Sequence, residues 1–145
     1  FDDGDPETTV KLYEERYVFI TPKSLTVSKE KQITWAEVAQ IPLCLLTQNM
    51  KNRQLIDRHF LELEISPSIV TEASDFTAVL AQVAAGNAAT IAPVSVAQTF
   101  LDLKSTKQLD LIRPVFTHSV GLSIKDQSPV LPMIEALRKA VKSAL

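Results

Sequence analysis

Few residues in this chain have the chemistry for covalent catalysis or metal binding. It holds one cysteine, Cys44, and two histidines, His59 and His118. A nucleophilic thiol needs an acidifying neighbourhood and a base. Cys44 stands inside the apolar run Leu43–Leu46, where a cysteine acts as a small buried hydrophobe. His59 falls on a helical pattern beside Phe60 and is read as a surface or half-buried side chain, while His118 divides two apolar runs and is read as a bend. One thiol and two distant imidazoles offer no metal-ligand spacing, so neither a metal nor a cofactor is expected. The acidic pairs Asp2-Asp3, Glu14-Glu15 and Glu62/Glu64 are read as solvated charge, because two carboxylates act as acid and base only across a cleft. Gly4, Gly86 and Gly121 lie too far apart to cradle a phosphate, and there is no Gly-x-Ser-x-Gly nucleophile elbow. No enzyme is expected.

Binding is the remaining option. Thr47-Gln48-Asn49 follows an apolar strand and opens a helix, with Arg53 one turn in; Ser74-Asp75-Phe76 repeats the arrangement after a second strand. Ligands of open α/β sheets gather at the carboxyl ends of strands, where helix N-termini present N–H groups to anions. Thr47, Gln48, Asn49, Arg53, Ser74, Asp75 and Phe76 are therefore the candidate ligand contacts. Plain helix capping is the competing reading, above all for Asp75, whose charge would repel an anion.

The elements that carry these residues follow from hydrophobic period. Val10–Ile20 reads as a strand whose end, Tyr17-Val18-Phe19-Ile20, is covered on both faces. Thr34-Trp35-Ala36-Glu37 is a capping box opening a short helix that Pro42 ends. Leu43–Thr47 is a buried strand. Asn49 is placed as the cap of a helix with Leu55, Ile56, Phe60 and Leu63 on its inner stripe and Lys51, Arg53, Arg58 and Glu62 on its polar side. Ser68–Ala73 is a strand, and Ser74 or Asp75 caps a helix carrying Phe76, Val79, Leu80 and Val83, which Gly86-Asn87 terminates. Ala89–Ala92 is a strand closed by Pro93, and Val94–Leu101 a short helix or turn. Leu109–Phe116 and Val120–Ile124 read as strands split by Thr117-His118-Ser119. Ser128 and Pro129 open a last helix with Val130, Ile134, Leu137, Val141 and Leu145 on one stripe. Alternating strands and helices predict an α/β domain with a mostly parallel sheet flanked by helices.

With 145 residues, 46% apolar and 22% charged, the chain is one domain's worth of material and can bury a core. A net charge of −2 carries no electrostatic footprint for nucleic acid or an anionic membrane. The stretch from Phe76 to Leu101 is uncharged, but polar residues and Pro93 interrupt it, so a buried helix followed by a buried strand is expected instead of a membrane span. The acidic start has no secretory signal character, and a reducing, cytoplasmic setting fits the lone thiol.

Three segments are similar to one known family. Ile33–Thr47 (ITWAEVAQIPLCLLT) resembles the start of the second lobe of LysR-type transcriptional regulators, where a short helix leads through a proline to a buried strand. Val83–Pro93 (VAAGNAATIAP) resembles the family's helix–Gly–strand–Pro signature, with Asn87 where a second glycine is common and Ala92 before the proline where leucine is usual. Leu12–Pro22 resembles the crossover strand between lobes, and Phe1-Asp2-Asp3 the stretch after the third strand of the effector domain. The order matches over nearly the whole chain.

The resemblance implies a fold like a type II periplasmic binding protein, with lobe II at 22–117 and the remainder of lobe I at 1–21 and 118–145. It implies a cytoplasmic effector-sensing domain that binds a small, anionic ligand between two lobes and transmits this through the geometry of a homodimer or tetramer. DNA would be reached only through an N-terminal helix-turn-helix that this chain lacks, and the strands and helices that open lobe I would precede Phe1. The helix at 75–86, with no charge from Phe76 to Gly86, is the expected contact between subunits. The rival is a periplasmic solute-binding protein of the same two-lobed fold.

Overall fold

The computed structural model describes residues 9–25, 31–100, 104–124 and 131–144. In chain order the elements are β1 (Thr9–Pro22), β2 (Gln32–Thr34), α1 (Trp35–Val38), β3 (Leu43–Leu46), α2 (Lys51–Glu62), β4 (Ile69–Ala73), α3 (Phe76–Ala84), β5 (Thr90–Pro93), α4 (Val94–Phe100), β6 (Thr106–Ile112), β7 (Thr117–Ser123) and α5 (Pro132–Ala144). They fall into two compact units, one of Arg16–Phe116 and one of the described parts of Phe1–Glu15 and Thr117–Leu145. The larger unit thus begins inside β1.

Within that unit, β1 is buried without a break from Tyr17 to Pro22. Successive side chains of a strand point to opposite faces. Val18 and Ile20 accordingly join Val83, Ala92 and Ala97, while Tyr17 and Phe19 join Ile33, Trp35, Ile91 and Leu109. The strand runs antiparallel to β5 on one side and β6 on the other, with Phe19 opposite both Ile91 and Leu109. β2 extends the sheet parallel to β6. A second sheet pairs β3 with β4 in parallel, and Leu43 bridges to Ala89 just ahead of β5. The α/β class is as expected. Among the described residues β3–β4 and β2–β6 pair in parallel, whereas β1 runs antiparallel to both β5 and β6, so the sheets are mixed.

Local signals hold where they are strong. Thr34 closes the capping box of α1: its hydroxyl accepts from Glu37 N at 3.2 Å, and its own N–H donates to Glu37 Oε2 at 2.8 Å. The Thr34 N–H bond first, and then a bond that the Thr34 hydroxyl donates to the same oxygen at 2.9 Å, hold the Glu37 carboxyl below its ordinary pKa. Gly86, at φ 84°, ends α3: Gly86 N–H bonds Val83 O and Asn87 N–H bonds Gln82 O, the paired closure that a left-handed residue allows. Trp35 anchors an aromatic cluster, edge-on to Phe60 at 5.1 Å, Phe116 at 5.3 Å and His59 at 5.6 Å. Its indole N–H donates to Pro114 O at 3.0 Å.

Three expectations change. The strand break falls at Arg113–Phe116, and Thr117-His118-Ser119 lies inside β7. Pro114 has no N–H for a ladder, so the apolar run cannot continue as strand through it. His59 is buried, stacked on Phe116 at 3.7 Å between ring centroids. The helix at 75–86 is buried on one side only: Val79 and Val83 are enclosed, while Ala81, Ala84 and Ala85 are exposed. Ser128, Pro129, Val130 and Leu145 lie outside the described residues, and the described part of the last helix starts at Pro132.

In the smaller unit β7 pairs with β1, and Ser119 donates to Glu14, which also pairs with Lys11. No residue of α5 is buried.

Two outcomes follow from this packing. Trp35→Ala is expected to lose about 3–5 kcal/mol of stability in urea unfolding, because the indole sits at the centre of the core cluster. Glu37→Gln should be less stable than the native chain at neutral pH. Since the folded pKa of Glu37 is depressed, its contribution is present above the ordinary carboxylate pKa and fades as pH falls through the folded value. The two unfolding curves should therefore converge in acid.

Candidate functional site

Parallel pairing puts the ends of β3 and β4 side by side, with Leu46 opposite Ala73. Thr47 N–H donates to Ala73 O at 3.0 Å, so the loop entering α2 and the loop entering α3 leave the same sheet edge together. Both belong to the larger unit. The structure thus brings together Thr47, Gln48 and Asn49 with Ser74 and Asp75, as the strand–helix pattern required.

The two helix starts differ. Asn49 does not cap α2. The cap is Met50, and no side chain bonds the first turn. Thr47 Oγ1 donates to Asn49 Oδ1 at 2.6 Å, and Met50 N–H reaches back to Thr47 O, so a turn precedes the helix and occupies the asparagine. Gln48 is exposed, and its carbonyl accepts from Gln54 Nε2. At α3, Asp75 is the cap and its Oδ1 accepts from Ala78 N at 2.8 Å. Ser74 is exposed; Phe76 is half-buried and packs against the two apolar clusters that contain Val18 and Ile20, and Cys44 and Leu46.

Arg53 is the residue whose place the sequence misread. Its side chain is only 4% exposed. Nε donates to both oxygens of Asp57 at 2.9 and 3.0 Å, and Nη1 donates to Leu46 O and to Glu72 Oε2, each at 2.8 Å. Burial alone would lower its pKa, but the two carboxylates outweigh it and the guanidinium is held more firmly charged than usual. Its inward position was readable from spacing, since Ile56 and Phe60 stand three and seven residues on. With Asp57, Glu72 and Asp75 nearby, side-chain charge at this edge is not net positive. An anion here would rely on the backbone N–H groups of the uncapped α2 turn.

Other candidate groups stay apart. Cys44 is fully buried, and burial pushes its thiol pKa up, the reverse of a nucleophile. Burial likewise pushes His118 down. Among the described residues no three His, Cys, Asp or Glu side chains converge as a metal site, and no helix is long and apolar enough to cross a membrane. A shallow groove of about 300 Å³, lined by Asp57, Phe60, Leu61, Ile65 and Ile69, lies at the other end of β4 from the two loops.

The cap bond at Asp75 separates its two expected roles. Asp75→Ala should cost about 1 kcal/mol in chemical denaturation. Asp75→Asn keeps the acceptor and should stay within about 0.5 kcal/mol of the native chain.

Comparison with known proteins places this geometry. Residues 3–145 match the family model of the LysR substrate binding domain. Among solved structures, the effector binding domain of QuiR in complex with shikimate is similar at 20% identity and TM-score 0.76, over 94% of this chain and 65% of that one. The Synechocystis PCC6803 CcmR regulatory domain in complex with 2-PG is similar at 9% identity and TM-score 0.79, over 99% and 71%. CbnR, a LysR family transcriptional regulator, is similar at 22% identity and TM-score 0.74, over 92% and 46%. No curated protein sequence matches the chain. The chain spans less than two thirds of the QuiR domain and less than half of CbnR. At these identities the likeness establishes the fold, that of LysR regulatory domains. The family match over nearly every residue does the rest: this chain belongs to the LysR substrate binding domain family.

Proposed function

We propose that this chain is the effector-sensing part of a LysR-type DNA-binding regulator and that it takes a small anion at the paired loops ending β3 and β4. The carrying observation is their adjacency: Thr47 N–H on Ala73 O holds an uncapped helix start beside a second loop rich in polar side chains. Thr47, Gln48, Asn49 and Ser74 are the proposed contacts. Asp75 caps and borders the site, with Phe76 and Arg53 behind it. Two similar domains are complexed with small molecules, shikimate and 2-PG, and shikimate is a carboxylate.

In the intact regulator, residues 22–117 would form lobe II and the rest of this chain part of lobe I, with the ligand between the lobes. Ligand contacts that differ between open and closed lobes would shift their populations. That shift would reach DNA, in the cytoplasm, through a homodimer or tetramer and an N-terminal domain outside this sequence. The exposed alanine face of α3, Ala81, Ala84 and Ala85, is the proposed contact between subunits.

A thermal-shift screen of small carboxylates and phosphates on the intact regulator tests the reading. A true effector at 100 times its Kd should stabilise the protein by about 2.7 kcal/mol. Thr47→Ala and Asn49→Ala should each reduce that gain. No response across the screen, or a response indifferent to both substitutions, would sink the proposed site.

A further inference from the structure

We infer that Arg53 is a positioning residue that locks the two ligand-facing loops to each other, acting on the ligand through them and not by contact. The inference rests on the proposed role of those loops. A guanidinium presents its donors in a rigid planar fork, so its bonds fix directions as well as distances. Here the fork joins three elements. Nε is held by Asp57, one turn further along the same helix. Nη1 grips Leu46 O, the last carbonyl of β3, immediately before Thr47. The same Nη1 grips Glu72, which stands one residue before the end of β4 and two before Ser74. One buried side chain is therefore bonded at the root of each loop.

A contact role fits this geometry poorly. The side chain is 4% exposed, whereas Gln48, Asn49, Ser74 and Asp75 are all exposed. Two carboxylates already neutralise its charge. The Thr47 N–H bond to Ala73 O crosses between the same two loop roots, so a displacement of one loop is passed to the other through two parallel links. Ligand at the α2 start would in this way be felt at the α3 start, and the reverse.

Amide hydrogen exchange on the full chain, without ligand, tests the lock. Glu72 is about half exposed, and Gln at that position keeps the volume and an acceptor, so Glu72→Gln should fold. It is expected to speed exchange at Thr47, and at Ala78 beyond the second loop, by about tenfold, with Ile91 in the larger sheet unchanged. Asp57→Asn weakens only the anchor within α2. It should speed Gln54 and leave Ala78 unmoved. A general stabilising ion pair would instead accelerate Thr47, Ala78 and Ile91 alike in Glu72→Gln. That result overturns the inference, as does an unchanged pattern, or acceleration of Thr47 without Ala78. Because no ligand is present, these outcomes judge the lock alone, while an empty effector screen judges the sensing role alone.

Discussion

Double-sided burial of one strand is the constraint on which the larger unit depends. From Tyr17 to Pro22 every side chain of β1 is enclosed, so both faces of that strand must be covered at once. Val18 and Ile20 demand the layer containing Val83 and Ala97; Tyr17 and Phe19 demand the layer containing Trp35, Phe60 and Leu109. A slip of one residue against β5 or β6 would exchange the two sets and turn each toward the wrong layer. The register of Phe19 with Ile91 and Leu109 is thus set by burial, and the helices are placed by the faces they must cover.

The smaller β3–β4 sheet stands on this frame through Leu43 and Ala89: Cys44 N–H bonds Ala89 O, and Ala89 N–H bonds Pro42 O. β3 is buried throughout, while β4 is exposed over Val70, Thr71 and Glu72. A covered strand and an outer strand run parallel, and their ends deliver two loops to one edge. The chemistry at that edge is modest. It consists of hydroxyls, amides and backbone N–H groups with the one buried cation already matched by carboxylates. Such a surface suits reversible recognition of a small polar molecule, in keeping with a family of regulator domains.

How much of this was readable from residues alone depended on whether the deciding interaction was local. The capping box at Thr34, the left-handed stop at Gly86, the cap at Asp75 and the buried run at Leu43–Leu46 each rest on neighbours within a few positions, and each stands in the structure. The strand boundary at Pro114 was also a local matter, since a proline inside an apolar run already forbids the ladder. Apolar continuity on both sides of it masks that signal. The helix at 75–86 is ambiguous for a different reason: with no charge from Phe76 to Gly86, periodicity cannot separate the face that buries Val79 and Val83 from the face that leaves Ala81 and Ala85 in solvent.

Arg53, His59 and Asn49 mark where residue type misleads. Arg53 and His59 sit on the inward side of α2 with Ile56 and Phe60, but polarity assigns them to solvent unless partners are known. Those partners lie outside the helix: Leu46 on β3 and Glu72 on β4 for the arginine, Tyr17, Trp35 and Phe116 for the histidine. Asn49 has the right chemistry for a cap, and a hydroxyl two residues away takes its oxygen first. The residue pattern was sufficient for the family, the α/β class and the two loops, because hydrophobic period and turn chemistry are written locally. Tertiary packing decided which polar side chains lie exposed at the two loops and which lie buried as ties between elements. A buried charge is tolerable only where distant carboxylates and carbonyls converge on it, and only the folded chain brings them there.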